Sequence, residues 1–192
     1  MRCFVAVELD PALREAIATR LVARLPRDPG VRWCTPQQLH ITLKFLGETR
    51  EQLLPRLCRV LAETAAGIEP FHLALGELGV FPSTRSPRVL WIAVDDPAAG
   101  CARWLAAADP RLAELGFEPE TRPFHPHVTL GRSRSPRGSR IMRDVLSDPT
   151  AAVGAGELPS GRVRIEQIVL FESLLERGGA RYRPVYSAPL GA

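Results

Sequence analysis

Apolar and polar positions change period repeatedly along the chain. Residues 2–8, Arg-Cys-Phe-Val-Ala-Val-Glu, form a short apolar, partly β-branched run and predict a strand. Asp10-Pro11 then offers an N-cap and a proline at the first helical position, and Leu13, Ile17, Leu21 and Val22 keep a helical period to about residue 25. After the turn Arg27-Asp28-Pro29-Gly30, residues 31–33 predict a short strand and 39–46 a longer one. Gly47 closes that strand, and Thr49 with Gln52 three residues on predicts a capping box for a helix running to about Ala66. Residues 71–80 and 88–94 predict a hairpin. An amphipathic helix follows over 97–115, stopped by Gly116, and then a strand over 124–130. Residues 133–140, Ser-Arg-Ser-Pro-Arg-Gly-Ser-Arg, predict a mobile basic loop before a helix over 140–147. Two last strands are expected over 163–172 and 181–187.

Interleaved strands and helices with two hairpins predict an α+β fold with antiparallel or mixed sheets, rather than one doubly wound parallel sheet. The 192 residues suit a single domain over 1–192, or two small lobes that share an interface, and are enough for a core without staples. The four cysteines, Cys3, Cys34, Cys58 and Cys101, show neither Cys-x-x-Cys nor a zinc-like spacing, so no disulfide framework and no metal are expected. The opening apolar run is too short for a signal peptide, and no stretch reaches the roughly 18 apolar residues of a membrane span. A cytoplasmic protein with no membrane partner is therefore expected, and nothing in the sequence demands more than a monomer.

Charge changes the picture only slightly. The 25 basic residues against 21 acidic ones give +4, and every basic residue except Lys44 is arginine. A GC-rich genome accounts for such a bias, but guanidinium groups also grip phosphate with paired donors, so a phosphate ester or nucleic acid is admissible. Neither Gly-x-Gly-x-x-Gly nor a P-loop is present.

The sharpest signal is a short duplication. Residues 40–43 read His-Ile-Thr-Leu and residues 127–130 read His-Val-Thr-Leu, 87 positions later in a chain with only four histidines. Strand alternation turns His40 with Thr42, and His127 with Thr129, to one face, and sends the apolar residues between them to a core. Two imidazoles can serve as general base and general acid on either side of a phosphorus atom. Two hydroxyls can donate to its non-bridging oxygens.

These residues resemble those of the RNA 2′,3′-cyclic phosphodiesterases, also called 2′-5′ RNA ligases, of the two-histidine phosphoesterase superfamily. Leu39-His40-Ile41-Thr42-Leu43-Lys44-Phe45-Leu46-Gly47 is similar to the first family signature. Arg122-Pro123-Phe124-His125-Pro126-His127-Val128-Thr129-Leu130-Gly131-Arg132 is similar to the second. Residues 2–7, Arg88-Val89-Leu90-Trp91 and Arg181-Tyr182 add weaker matches. The resemblance implies two pseudo-symmetric lobes, each an antiparallel sheet flanked by helices, around a central cleft. It implies hydrolysis of RNA 2′,3′-cyclic phosphate ends, or of cyclic nucleotides, to 2′-phosphates without cofactor or metal, with reversible 2′-5′ ligation in some members. His127 would activate water, His40 would protonate the leaving 3′ oxygen, and Thr42 and Thr129 would hold the phosphate. The alternative is a non-catalytic RNA- or nucleotide-binding member of the same fold.

Three further residues are candidates for substrate binding. Arg132 follows the second signature, but strict alternation puts it on the wrong face unless a bulge intervenes. Lys44 is expected on the face of His40 and Thr42. Phe4 could stack on a base. His125 two residues before His127 raises a metal-hydrolase alternative that leaves His40 and Thr42 without a role. His72, Trp33 and Trp91 read as packing or rim residues.

Overall fold

The computed structural model describes residues 1–150, 162–176 and 179–191. Strand β1 spans Arg2–Glu8 and helix α1 Pro11–Ala16. The Asp10 carboxylate caps α1 as expected, accepting the Ala12 N–H at 2.8 Å. Winding continues to Arg24, but through a wide turn at Ile17–Leu21 and a tight one at Val22–Arg24, so the helix to residue 25 is present without a regular period. Strands β2 (Val31–Trp33) and β3 (His40–Glu48) follow.

The capping box lies elsewhere than predicted. It sits at Thr35 and Gln38, where the Thr35 N–H donates to Gln38 Oε1 at 3.0 Å. Thr49 is buried instead. Its backbone exchanges two hydrogen bonds with Met1, and its hydroxyl donates to the Gly47 carbonyl. Helix α2 therefore begins at Leu54 and runs to Ala66.

Strands β4 (Phe71–Phe81) and β5 (Val89–Asp95) form the predicted hairpin. Helix α3 spans Gly100–Ala113, three residues later than expected, because Asp96 accepts the N–H groups of Gly100 and Cys101 at 2.9 Å each. Strand β6 begins only at His127 and ends at Ser133. The basic stretch is not a loop. Helix α4 occupies Pro136–Ser147, with the Ser135 hydroxyl capping the Gly138 N–H at 3.1 Å and a proline at its first position. Ser-Pro here starts a helix rather than a turn. Strands β7 (Arg162–Ile165), β8 (Gln167–Glu176) and β9 (Gly179–Pro189) complete the described residues.

The strands form a curled sheet in the order β7-β4-β5-β6-β3-β1-β8-β9, with β2 paired beside β6, and each pairing is antiparallel. Strands β6 and β3 stand at the centre of this order and meet at one register pair, Ile41 opposite Val128. Val7 lies opposite Ile41 on one side and Ile92 opposite Val128 on the other. These four residues, all fully buried, form a row across the centre of the sheet on the face that the helices cover. Leu57 and Leu61 of α2, Trp104 and Ala108 of α3, and Met142 and Val145 of α4 join the same core. The opposite, concave face carries a separate small cluster of Phe4, Ala6, Val169 and Phe171.

Candidate active site

The Ile41–Val128 pair fixes the site. In an antiparallel ladder, continuing that register by one residue sets His40 opposite Thr129 and Thr42 opposite His127. Facing residues share a side of the sheet, so all four polar groups lie on the concave face while Ile41 and Val128 point to the core. The duplication is thus a local two-fold relation that exchanges the two His-x-Thr copies. All four residues are partly exposed, as groups lining an open cleft should be.

Each imidazole is held in the same way. His40 Nδ1 is 2.8 Å from the Gln38 carbonyl and His127 Nδ1 is 2.7 Å from the His125 carbonyl, in both cases two residues upstream. A carbonyl only accepts, so Nδ1 carries the proton and Nε2 is left for the cleft. His40 Nε2 lies 3.0 Å from the Thr42 hydroxyl. Aromatic rings wall both imidazoles. Phe4 and Tyr182 approach His40 with centroids at 4.9 and 5.1 Å, while Phe81 and Trp91 approach His127 at 5.1 and 5.8 Å. Loss of water in these surroundings disfavours the charged form, so burial pushes His40 down to about 4, and the nearby Arg132 and His127 add to the effect. Burial lowers His127 in the same sense, again with Arg132 contributing.

Two matched bulges decide which neighbours join them. In β3 Val5 pairs with Lys44 but Ala6 pairs with Thr42, leaving Leu43 as an extra residue. In β6 Leu90 pairs with Gly131 but Trp91 pairs with Thr129, leaving Leu130 extra, 87 positions after Leu43. Each bulge inverts the alternation beyond it. Arg132 consequently faces the cleft with His127 and Thr129. Lys44 is thrown to the opposite face, which corrects the expectation that it shares a side with His40. Its ammonium is buried and bonded to the Asp109 carboxylate of α3 and, at 2.6 Å, to the Glu118 carbonyl. A buried, paired ammonium cannot meet a phosphate in the cleft.

Phe4 also departs from expectation. It lies on the concave face but is only 3% exposed, with Phe171 stacked on it at 5.3 Å and Tyr182 edge-on at 4.9 Å. Its ring is the floor under His40, with no face left for a base. Phe45, opposite Phe4 and 68% exposed, has the free ring instead. The sequence hides it inside an apolar run, although its offset of 87 from Arg132 is a usable signal. Arg32 also escapes sequence reasoning. It pairs directly with Arg132 across β2 and β6, so both guanidinium groups face one side, and neither has a carboxylate partner among the described residues. Like charges set opposite one another are unfavourable unless an anion joins them. His125 is exposed and contributes its carbonyl, and His72 is exposed on the distant β4. Among the described residues no three His, Cys, Asp or Glu side chains converge as a metal cluster.

A family model for LigT-like phosphoesterases matches this sequence twice in tandem, over residues 7–91 and 92–182. The chain belongs to the LigT-like phosphoesterase family. The two tandem matches follow the same duplication that the sheet's local two-fold displays. An RNA 2′,3′-cyclic phosphodiesterase of Methanothermobacter thermautotrophicus is 34% identical over 182 residues, covering 95% of each chain. A crystal structure from Thermus thermophilus superposes with a TM-score of 0.76 at 26% identity, covering 99% of this chain and 98% of the other. Escherichia coli LigT complexed with 3′-AMP gives 0.74 at 26% identity over 98% and 97%. No helix among the described residues of this LigT-like protein is long and apolar enough to cross a membrane.

Proposed function

We propose that this protein hydrolyses the 2′,3′-cyclic phosphate ends of RNA to 2′-phosphates, acting as a single two-lobed unit, monomeric and cytoplasmic. The observation that carries the proposal is the pair of imidazoles, each tied through Nδ1 to a carbonyl two residues upstream, with Nε2 turned to one cleft. Two proton-transfer groups on opposite sides of one reacting centre suit an in-line displacement at phosphorus.

In the proposed reaction the cyclic phosphate sits between the two histidines. His127 Nε2 removes a proton from water as the water oxygen bonds to phosphorus. The P–O3′ bond breaks, and His40, protonated at Nε2, delivers its proton to the departing 3′ oxygen. The 2′ ester remains. Thr42 and Thr129 donate to the non-bridging oxygens, whose charge must be stabilised as the phosphorus becomes five-coordinate. Arg132, with Arg32 beside it, supplies positive charge at the same rim. These groups provide base, acid and charge stabilisation between them, so no metal is required. A 5′-hydroxyl in place of water would yield a 2′-5′ linkage, which makes ligation available to the same residues.

The test is turnover of a short RNA ending in a 2′,3′-cyclic phosphate, with excess EDTA, in the unaltered protein and in His40→Ala. The expected result is a 2′-phosphate product that falls by at least about a hundredfold in the variant, the usual scale for removal of an acid or base. No turnover, or turnover abolished by EDTA alone, would overturn the proposal. His127→Ala should lose turnover while keeping RNA binding, which separates catalysis from a purely binding role.

A further inference from the structure

A second basic site lies at the far end of β6, away from the two histidines. A half-open cavity of ≈ 530 Å³ is formed there by the β4–β5 connection, the end of β6 and the start of α4. Four arginines line it, Arg85, Arg88, Arg134 and Arg143, together with Ser133 and Ser139, whose hydroxyls pair with each other at 3.1 Å, and no acidic residue does so. Arg143 donates to the Arg85 carbonyl at 3.1 Å, which ties the loop to the helix. None of the four guanidinium groups has a carboxylate partner among the described residues, whereas eight other basic side chains do. Four like charges around one cavity repel each other, and an anion is the missing counter-charge.

Position and asymmetry suggest which anion. From His127 to Ser133 is six strand residues, about 20 Å at the usual rise, out of reach of a mononucleotide held at the histidines. Arg132 and Arg32 lie at the cleft rim. The next residue, Ser133, turns to the helix-covered face against Ser139 of α4, and Arg88 and Arg134 flank it at the strand ends, so a chain leaving the cleft reaches the cavity by passing round the end of the sheet. The local two-fold supplies no counterpart to the stretch that joins cleft and cavity. At the offset of 87, Arg132-Ser133-Arg134-Ser135 corresponds to Phe45-Leu46-Gly47-Glu48. The catalytic pattern is duplicated, but Arg88, Arg132 and Arg134 fall on Met1, Phe45 and Gly47 at that offset, and of the arginines here only Arg143 meets another, Arg56. A polymer that enters the cleft from one direction needs such one-sidedness, whereas a small symmetric anion does not.

We propose that this cavity binds backbone phosphodiesters of the RNA that precedes the cyclic end, so that the enzyme takes RNA ends in preference to free cyclic nucleotides. The inference rests on the reading of the activity given above. Arginine forks hold phosphate oxygens without touching bases, so this recognition is indifferent to sequence.

The experiment compares the unaltered protein with the double variant Arg85→Gln/Arg134→Gln on two substrates, an oligoribonucleotide with a 2′,3′-cyclic end and a 2′,3′-cyclic mononucleotide. Both arginines are exposed, and melting curves check that the fold is kept. KM for the oligonucleotide should rise about tenfold or more with kcat unchanged, while both parameters for the mononucleotide stay as they were. The salt dependence of oligonucleotide KM should also flatten, by about 0.7 in log–log slope for each single-strand phosphate that the variant no longer grips. Binding of a 3′-phosphorylated oligonucleotide, followed by fluorescence anisotropy, separates the two proposals. If neither substrate turns over yet the variant loses RNA affinity, the activity reading falls and the cavity stands. If turnover is normal and the variant changes neither oligonucleotide KM nor affinity, or changes both substrates alike, the cavity proposal is overturned.

Discussion

Phe45 and Arg132 stand at matching positions in the two halves, each two residues beyond the extra residue of a bulge and each facing the cleft. Without Leu43 and Leu130 as bulge residues, both would point into the core. The same two irregularities thus bring an exposed ring to the rim beside His40 and a guanidinium to the rim beside His127, and put Lys44 out of reach of substrate.

Phe45 is expected to stack on a base of the substrate, because its ring is open while that of Phe4 is enclosed. Phe45→Ala should raise KM about 5- to 150-fold, the range of about 1–3 kcal/mol for one base–aromatic stack, and leave the melting temperature nearly unchanged. Phe4→Ala should instead lose about 3–5 kcal/mol of stability as a buried aromatic. Steady-state kinetics and denaturant unfolding on both variants check this. Equal KM in Phe45→Ala and the unaltered protein would remove the stacking role.

Lys44 is a structural ion-pair partner. Lys44→Ala leaves the Asp109 carboxylate partly buried with its cation gone and should cost about 3–5 kcal/mol. At a temperature where the variant remains folded, kcat/KM should match the unaltered enzyme. A selective fall in kcat/KM with unchanged stability would restore Lys44 to the site.

The pH profile follows from the depressed histidines. The proposed reaction needs one imidazole protonated and its partner neutral, so kcat/KM should be bell-shaped with its maximum below about pH 6.5, the unperturbed histidine value. Bound phosphate is anionic and favours the imidazolium, so the kcat profile should lie at higher pH than that of kcat/KM. Arg132→Gln removes a positive neighbour that holds both histidines down. Its kcat/KM profile should move towards alkaline pH, with KM raised roughly tenfold or more, the scale of a charged hydrogen bond. A flat profile from about pH 5 to 9 would contradict paired histidine catalysis.

Stability carries the same signature. His40 is lowered to about 4 when folded, so between its ordinary value and about pH 4 the unfolded chain binds the extra proton. The contribution is complete above about pH 6.5 and is lost as pH falls, by at most about 3 kcal/mol. Urea unfolding should show this loss between about pH 7 and pH 4.5, and His40→Gln should reduce it.

Much of this architecture can be read from residue order alone. The paired His-x-Thr copies, the apolar residues between them and the antiparallel α+β arrangement follow from period and turn chemistry. What escapes is set by tertiary partners. A bulge is invisible in an apolar run such as that around Leu43 or Leu130, so alternation misplaces Lys44 and leaves Arg132 dependent on an unseen kink. Thr49 has the chemistry of a cap but is used to fasten Met1. Arg32 lies in a strand that the sequence predicts, yet its importance comes from the partner opposite it.

Sheet order also governs how the cleft comes into being. Strand β4 follows the first His-x-Thr copy in the chain and pairs with β5, which leads into the second. Strand β8 follows the second copy and pairs with β1, which leads into the first. Each half of the sheet is therefore woven from both repeats, and neither histidine's half is complete without strands that belong to the other's repeat. Severed in the connection between β4 and β5, the two pieces would have to fold on one another, like the protomers of a strand-exchanged dimer. They would bring His40 and His127 face to face only upon association.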